Sequence, residues 1–328
     1  MMKTLRIRHT LLLLALPLRV LALEPLSRDE PTFREVFDRT VDYYAAWTYT
    51  REDLRYDEAG VFYSQQPDLV FWDPLPPLGG HRGWAEYRDV IERVWKPAGM
   101  VAAAIRLARD GSFTAWRHGD VVLTTANCIV HAEFAAAPPA TTPCRGTQLW
   151  QREGQEWRVL HEHFSSPMSP HAVLYRADGA AEEQRPAGTA LLERVRSVAA
   201  AWSAGPLAEA ALRLRPFYAE HALARLYLPW LPHDGYPGWV ELTAGLQEYA
   251  GQAIRRIRLH HHEGLEATVR DDLAWTTATI DLDFELSDGR MNRASARQTL
   301  VWVMDHGDWR IVHEHLSVPV SVHTEAGP

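Results

Sequence analysis

The strongest constraint on the fold of this chain is a repeated segment. The sequence WRVLHEHFSSPMS at residues 157–169 returns near the end of the chain as WRIVHEHLSVPVS at residues 309–321. Earlier landmarks also recur, since Trp47 matches Trp202 at an offset of 155 residues, whereas the repeated segment recurs at an offset of 152. A length of 328 residues is enough for two domains that each bury a core. The sequence therefore predicts a tandem duplication with small changes in loop length.

The composition along the chain predicts two modules joined by a linker. Residues 28–175 and 188–322 carry the repeated patterns of apolar residues. The segment between them, residues 176–187, is polar and contains few apolar residues, which is typical of a linker. We therefore place the boundary between the modules in this segment.

The first 22 residues have the pattern of an export signal. Basic residues precede the apolar run LLLLALPL at residues 11–18, and small residues follow near residue 22. Eight uninterrupted apolar residues are too few to span a bilayer, which takes about 20. We expect residues 1–22 to direct secretion or export to the periplasm. If this segment is not a signal, the cytoplasm is the expected location.

Composition and motifs argue against several classes of function. The formal net charge is -8 and no run of basic residues is present, which argues against nucleic acid or a membrane surface as a partner. The sequence lacks a phosphate-binding glycine loop, a nucleophile elbow and a dinucleotide fingerprint, so no cofactor is expected. It also lacks CxxC and HExxH patterns, so no metal site is expected.

Hydrophobic periodicity predicts helices first and a sheet afterwards. In the first module the spacing of apolar residues predicts helices over 28–49, 54–63 and 83–95, with a short strand at 69–74. Alternating apolar and polar residues then predict four strands, at residues 101–109, 121–134, 145–153 and 156–164. This order is typical of an α+β fold in which a curved sheet packs around helices.

The order of these elements resembles the SnoaL-like branch of the nuclear transport factor 2-like fold, which ketosteroid isomerase shares. The resemblance rests on FWDP at residues 71–74 and on the WRVLHEH and WRIVHEH endings of the modules. It implies two tandem cone-shaped modules, each of about three helices packed in a curved antiparallel sheet. Members usually dimerise through the sheet, so it also implies an intramolecular pseudo-dimer and leaves a further homo-oligomer open. The family includes isomerases, dehydratases, polyketide cyclases and proteins without known activity, so the fold fixes no function.

Asp73, in the FWDP segment, stands at the position that resembles the general base of ketosteroid isomerase. A carboxylate in an apolar cavity has a raised pKa and can transfer protons near neutral pH. The alternative is that Asp73 only caps the turn before Pro74, because Asp-Pro commonly opens turns. The second module has Leu228 at the corresponding position. Acid–base chemistry, if present, is therefore predicted for the first module.

The two histidines of each repeated segment are predicted to share one face of the last strand. Alternation along the strand places His161 and His163 on the same face as Val159. In the second module the same positions are His313 and His315. Neutral imidazoles there could line a ligand pocket, act as acid and base, or bind a metal ion, although the sequence identifies no third ligand. We take His161 and His163 as candidate catalytic residues and the second pair as candidate ligand-binding residues.

Four further residues are candidates for the wall of a ligand pocket. Arg145 and Arg297 hold matching positions on the penultimate strands, where a guanidinium could bind a carboxylate or enolate. The alternative is an outward arginine that pairs with a surface acid. Tyr44 resembles the region that supplies the oxyanion-hole tyrosine of ketosteroid isomerase, or else belongs to the core. Trp72 precedes the aspartate of the FWDP segment and completes the candidate set.

Cys128 and Cys144 are the only cysteines of the chain. In the second module the corresponding residues, Ile280 and Ala296, lie symmetrically about an Asp-Gly turn, as opposite positions of a hairpin do. Residue 136 lies midway between Cys128 and Cys144 in the same way, so the first hairpin is predicted to centre on it. The cysteines would then face each other across adjacent strands, close enough for a disulfide. Export would favour that disulfide, and two reduced thiols are the alternative.

Two classes of function remain open at this point. The first is a protein that binds a small apolar or carbonyl-bearing molecule, with weak acid–base chemistry left open. The second is an enzyme, a cofactor-free isomerase, dehydratase or cyclase that acts on a small apolar carbonyl substrate in the first module. The sequence slightly favours binding, because only one module keeps a carboxylate where the isomerases need a base.

Overall fold

The computed structural model describes residues 23–50, 56–67, 69–73, 78–97, 100–135, 137–167, 189–220, 223–230, 232–262 and 264–319. The predicted export signal at residues 1–22 and the predicted linker at residues 176–187 lie outside these residues, so export stays a prediction. Each predicted module contains its own sheet together with helices. The prediction of an α+β fold with two sheet-containing modules is therefore confirmed.

Helices and strands of the first module follow the predicted order, with four added strands. The helices are α1 (Pro31–Ala46), α2 (Tyr56–Gly60) and α3 (Gly83–Val90), and α3 continues into a π-helical turn at Ile91–Trp95. The strands are β1 (Glu24–Pro25), β2 (Tyr49–Thr50), β3 (Val70–Trp72), β4 (His81–Arg82), β5 (Met100–Leu107), β6 (Thr114–His118), β7 (Val121–Phe134), β8 (Ala137–Glu153) and β9 (Glu156–Ser165). The sequence pattern did not predict β1, β2, β4 and β6.

The strands of the first module form one sheet in the order β1-β6-β7-β8-β9-β3-β4, and β5, with β2 beside it, also pairs with β7. Among the described pairings of strands in this module, that of β3 with β9 is parallel, with Phe71 opposite Glu162 and Trp72 opposite His163, and a parallel bridge also joins Tyr63 to Val159. This pairing brings the FWDP segment beside the histidine strand. Asp73, the next residue of the segment, therefore lies just past the end of β3.

The second module repeats this architecture. Its helices are α4 (Thr189–Ser203), α5 (Ala210–Leu214) and α6 (Trp239–Gln252). Its strands are β10 (Ile254–His261), β11 (Glu266–Arg270), β12 (Leu273–Leu286), β13 (Met291–Asp305) and β14 (Asp308–Ser317). They form a sheet in the order β10-β12-β13-β14, with β11 on β12. A single parallel bridge joins Tyr227 to His315, which is the counterpart of the pairing between Trp72 and His163.

The first helix of the first module buries one face against the sheet. Pro31 occupies its first turn, where the missing backbone N–H is not needed. The buried residues recur every three or four positions, as one face of a helix requires, and they are Phe33, Val36, Thr40, Tyr43 and Tyr44. This face meets the sheet through contacts such as the edge-to-face packing of Phe33 on Phe113, with ring centroids 5.4 Å apart. The helix therefore fills the concave side of the curved sheet.

A β-bulge in the last strand of each module changes the predicted face of the histidines. In β9, His161 lies opposite Leu149. Val159 lies opposite Trp150, the next residue of β8, so Leu160 is an extra residue in the ladder. Because successive residues of β8 point to opposite faces, Val159 and His161 do so as well. The prediction that these two residues share a face is wrong, and β14 carries the same irregularity.

The two cysteines lie where the hairpin construction predicts them. Cys128 is directly opposite Cys144 in the ladder between β7 and β8, just as Ile280 is opposite Ala296 in the second module. In this structure both cysteines are buried free thiols, and the Cys144 sulfur lies 3.0 Å from the Ser166 hydroxyl. The predicted pairing is confirmed, while the disulfide stays a prediction.

We predict that mild oxidation links Cys128 to Cys144 and stabilises the first module. Closing a loop of this length restricts the unfolded chain and should raise the free energy of unfolding by about 3 kcal/mol. Alkylation after unfolding, followed by mass spectrometry, counts the remaining thiols, and urea titration measures the stability. The control variant C128I/C144A carries the residues of the second hairpin and should not respond to the oxidant. Two alkylated thiols in the oxidised protein would contradict the prediction.

Candidate functional site

The histidines of the first module lie between the two modules rather than inside the first cone. His161 Nε2 is 2.9 Å from the hydroxyl of Thr299 in the second module, and His163 Nδ1 is 3.0 Å from the same hydroxyl. His163 Nε2 also lies 2.6 Å from the Ser317 hydroxyl. Both imidazoles are fully buried. The face of β9 that carries the histidines is therefore the face that packs on the second sheet.

The second module makes the same contacts in return. The Thr147 hydroxyl lies 2.9 Å from His313 Nε2 and from His315 Nδ1, and the Ser165 hydroxyl lies 2.7 Å from His315 Nε2. The rings of His163 and His315 stack, with centroids 3.7 Å apart and planes 8° from parallel. Reciprocal contacts between matching residues are those of an isologous interface. The two sheets therefore meet in the way that two subunits of a symmetric dimer do.

The hydrogen-bond partners of the first pair of imidazoles suit two neutral rings. A carbonyl oxygen only accepts, so His161 must donate from Nδ1 to the Val70 carbonyl, at 2.7 Å. His161 Nε2 then accepts the single hydroxyl hydrogen of Thr299. Thr299 in turn must accept from His163 Nδ1, and His163 Nε2 accepts from Ser317. Two neutral imidazoles therefore satisfy every contact in this chain.

The second pair of imidazoles follows the same rule. His313 donates from Nδ1 to the Arg225 carbonyl and accepts at Nε2 from the Thr147 hydroxyl. Thr147 then accepts from His315 Nδ1, and His315 Nε2 accepts from Ser165. Each pair thus forms a chain of hydrogen bonds that alternates between imidazole and hydroxyl and ends on a backbone carbonyl.

Burial disfavours a positive charge on any of these four imidazoles. It lowers the pKa of His161 from 6.5 to about 4 and the pKa of His313 to about 3. It lowers the pKa of His163 and of His315 well below 6.5, and neighbouring imidazoles and arginines add to the effect. At neutral pH the interface therefore holds uncharged histidines, in agreement with the hydrogen-bond pattern.

The two predicted arginines also connect the modules. Arg297 donates from Nε to the Leu78 carbonyl at 2.9 Å and from Nη1 to the Asp73 carbonyl. Arg145 donates to the carbonyl of Leu228, the residue that corresponds to Asp73. Burial lowers the pKa of each guanidinium to about 10, so both remain charged at neutral pH. Each arginine therefore holds the end of the FWDP-type segment of the other module.

Trp72 belongs to the same interface. Its ring packs edge-on against His163, with centroids 4.9 Å apart, and the Arg297 guanidinium lies 6.0 Å from its centre. In the second module Tyr227 takes this position, with its ring 5.0 Å from His315. Trp72 and Tyr227 therefore cover the two ends of the stacked histidine pair.

The interior of the first cone holds a carboxyl group that the sequence analysis missed. Glu162 lies between the two histidines of β9 and points to the opposite face, where Oε1 accepts from the Tyr63 hydroxyl at 2.7 Å and Oε2 accepts from the Tyr43 hydroxyl. The two hydroxyl oxygens are also 2.8 Å apart. Protonation of Glu162 supplies a third hydrogen to this cluster, and one of its oxygens then donates to a tyrosine instead of accepting. Burial raises the pKa of Glu162 to about 8, so the group is a neutral acid at pH 7.

The second cone keeps the buried carboxyl group but changes its partners. Glu314 accepts from Gln298 Nε2 at 2.8 Å and from the Tyr218 hydroxyl. Val198 stands where the first module has Tyr43, so one of the two tyrosines is lost. Burial raises the pKa of Glu314 as well. The interiors of the two cones have therefore diverged, whereas the histidines, threonines, serines and arginines of the interface are the same in both modules.

Asp73 pairs with a histidine that the sequence analysis did not single out. Its Oδ2 lies 2.7 Å from Nε2 of His81 on β4, and both residues are buried. The ring of Tyr87, on α3, stacks on His81 with centroids 4.2 Å apart. The Tyr87 hydroxyl forms a hydrogen bond with Asp73. Leu228 and Tyr236 hold the corresponding positions of the second module. Of the two modules, only the first thus carries this aspartate–histidine pair.

A groove of about 1260 Å³ opens between α1 and β5 of the first module. Its apolar lining includes Phe33, Phe37, Val41, Ile105, Phe113 and Ile129. Tyr44 also lines the groove, and its hydroxyl accepts a hydrogen bond from Gln148 at 3.2 Å. Tyr44 is the residue predicted to bind ligand that lines this groove.

The structure divides the predicted site residues into two groups. The interface between the modules contains His161, His163, His313, His315, Arg145, Arg297 and Trp72. Asp73 and Tyr44 belong to the first module, at the aspartate–histidine pair and at the groove respectively. Within the described ranges, no three histidine, cysteine, aspartate or glutamate side chains are grouped to hold a metal ion. No helix in those ranges is both long and apolar enough to cross a bilayer.

We predict that the interface histidines make stability depend on pH. The folded chain keeps them neutral, whereas the unfolded chain takes up protons below about 6.5, so the unfolded state binds more protons. The free energy of unfolding should fall as the pH is lowered from about 6.5 towards 4, by up to about 1.4 kcal/mol per pH unit for each histidine. In the double variant H163Q/H315Q this slope should be smaller by the contribution of two histidines.

Glu162 also affects this slope, because its raised pKa makes stability change with pH in the opposite direction. The effect of Glu162 is present both in the unchanged protein and in H163Q/H315Q, so the difference between their slopes reports the histidines. Urea titrations at several pH values measure the slope. H306Q is the matched control, because the His306 side chain is 85% exposed and lies outside the interface. A slope unchanged in H163Q/H315Q would rule out the interface as its source.

Comparisons with known proteins identify the family of both modules. The nuclear transport factor 2-like superfamily protein from Salmonella enterica serovar Typhimurium LT2 is 17% identical, with a TM-score of 0.35 over 42% of this chain and 94% of that one. A protein proposed to be a scytalone dehydratase, from Novosphingobium aromaticivorans DSM 12444, is 13% identical, with a TM-score of 0.34 over 40% of this chain and 83% of that one. A search of curated proteins finds no match. The family model of the SnoaL-like domain matches residues 41–169 and 233–321, more than half of the chain. The chain therefore belongs to the SnoaL-like domain family, with one match in each of its two modules.

Proposed function

We propose that the first module binds a small apolar or carbonyl-bearing molecule in the groove between α1 and β5. The observation that carries this proposal is the apolar surface left open there, since Val41 and Ile129 are 41% and 44% exposed. Small-molecule sites are concave, mainly apolar and typically about 300–1,000 Å³ in volume. The groove, at about 1260 Å³, is large enough for such a molecule. Membership in the SnoaL-like family agrees with a small-molecule site.

A difference between the modules supports the choice of the first one. In the second module the hydroxyl of Ser203, at the end of α4, accepts a hydrogen bond from the backbone N–H of Leu259 on β10, at 3.0 Å. This contact ties the helix directly to the strand. The first module has Thr48 at the corresponding position, where it is exposed and lines the groove. Among the described residues Thr48 makes no such hydrogen bond; the chain after α1 joins β5 through β2 instead, and the groove opens beside it.

We predict that filling the groove weakens binding of a neutral apolar probe such as Nile red. Ala45 is exposed on α1 and lines the groove, so the indole of A45W should occupy part of the space. Fluorescence titration should give an affinity at least about tenfold lower, equivalent to about 1.4 kcal/mol. The matched control is A200W, which places the same side chain at the corresponding position of α4. Equal loss of affinity in both variants, or in neither, would refute the groove as the binding site.

Acid–base catalysis in the first module is the second candidate function. The observation that favours it is the buried Asp73–His81 pair, which the second module replaces with Leu228 and Tyr236. An aspartate that is hydrogen-bonded to an imidazole can accept a proton from a carbon next to a carbonyl group, provided that the substrate reaches it. Glu162, a buried acid with a raised pKa, lies in the same cone, and its oxygens are hydrogen-bonded to Tyr43 and Tyr63. His161 and His163, which the sequence favoured for these roles, face the other module instead.

We predict that D73N lowers kcat for proton transfer by at least about a hundredfold if this candidate function is correct. Deuterium exchange at the α-carbon of small cyclic enones, followed by NMR, gives the rate without knowledge of the natural substrate. L228N is the control, because it introduces the same side chain at the matching position of the second module. Turnover that survives in D73N and disappears in H313A would reverse the assignment of the modules.

A further inference from the structure

The groove of the first module has a cationic end. Four arginines line it, namely Arg28, Arg34, Arg106 and Arg109, against one acid, Asp38. This excess of positive charge is local, because the chain as a whole carries a formal net charge of -8. Any preference of the groove for anions would therefore come from these arginines and not from the overall charge of the protein.

Two of the four arginines are available to a ligand. Arg28 donates to the Gly111 carbonyl at 3.0 Å, and Arg34 lies 3.5 Å from the Asp29 carboxylate. Arg106 and Arg109 are exposed, and in the described parts of the chain neither forms an ion pair or a side-chain hydrogen bond. A guanidinium presents two parallel N–H donors that match the two oxygens of a carboxylate. The free pair is therefore suited to an anionic group held at the groove.

The cationic and apolar parts of the groove lie at different ends. Arg28 contacts the loop that follows β5, through the Gly111 carbonyl, so the positive end lies near the start of α1. Val41 and Ala45 line the groove further along the same helix. From residue 34 to residue 45 a helix rises roughly 16 Å, at 1.5 Å per residue. A ligand that fills both ends would be elongated, with its charge at one end.

The wall between these ends is aromatic and already rigid. Phe37 packs edge-on against Phe113, with ring centroids 5.1 Å apart, and Phe33 stacks beside Phe37 at 6.3 Å. Rings that support one another do not need to rearrange when a ligand binds, so little conformational entropy is lost on binding. The wall offers apolar contact to a hydrocarbon chain or ring but no hydrogen-bond donor. Specificity for a charged group would therefore come from the arginines.

We propose that this groove takes an amphipathic carboxylate, with its anionic group at Arg106 and Arg109 and its apolar chain or ring between α1 and β5. This inference rests on the proposed binding function and names the class of ligand. The charge of the groove selects against cationic amphiphiles, because bringing a like charge beside unpaired guanidiniums is unfavourable. Neutral molecules of the same shape would keep the apolar contacts and lose the ion pair.

Displacement of Nile red by three molecules that share one alkyl chain tests the inference. Dodecanoate, dodecanol and dodecyltrimethylammonium are compared at neutral pH, below their micelle concentrations. Dodecanoate should bind at least about tenfold more tightly than dodecanol, as expected for a charge-assisted pair. In R106Q/R109Q this preference should fall to within about twofold, while dodecanol binds as before. The control R255Q/R258Q makes the same change of charge on β10 and should keep the preference.

The possible outcomes distinguish failure of the carboxylate inference from failure of the proposed binding function. If dodecanoate and dodecanol bind equally well and A45W weakens both, the groove is a site for neutral apolar molecules and the inference fails alone. If the preference for dodecanoate persists in R106Q/R109Q, the anion binds elsewhere and the inference also fails. If none of the three displaces the probe and A45W has no effect, the proposed function fails together with it.

Discussion

The structure depends on the pairing of polar groups between the two sheets. Four imidazoles and the guanidiniums of Arg145 and Arg297 are buried there, and a buried polar group without a partner would cost several kcal/mol. Each module supplies hydroxyls for the imidazoles of the other, and each arginine reaches a carbonyl of the other module. The bulged residues Leu160 and Val312 add apolar contact within one core cluster. Neither sheet could expose this face to water without losing those partners.

The symmetry of the interface contrasts with the divergence of the cones. Histidine, threonine, serine and arginine occupy the same interface positions in both modules. Inside the cones, by contrast, Tyr43, Asp73 and His81 of the first module are replaced by a valine, a leucine and a tyrosine in the second. A change at the interface would leave two partners unsatisfied, whereas a change inside one cone affects only that cone. The two modules therefore share an interface but differ in the residues inside their cones.

Much of the fold could be predicted from the sequence, and the reasons for the failures are physical. The internal repeat indicated two modules, and the symmetry of the second hairpin fixed the register of Cys128 and Cys144. The bulge at Leu160 could not be predicted, because Val159 and Leu160 are both apolar and either of them could be the residue that faces the core. The strand at Thr114–His118 is too short for its period to be recognised. The role of Glu162 depended on the bulge, which decides whether histidine or glutamate faces the cone.

The covalent connection of the two modules has a consequence for how strong their interface needs to be. Hydrogen bonds between neutral groups contribute only about 0.5–1.5 kcal/mol each, so separate chains joined mainly by such bonds would dissociate on dilution. Within one polypeptide the second module is present at an effective concentration that reaches the millimolar range for a short flexible connection. Gene duplication can thus turn a concentration-dependent association into an intramolecular one. The packing of the two modules on each other then no longer depends on the amount of protein that the cell makes. The interior of each module is therefore free to change independently.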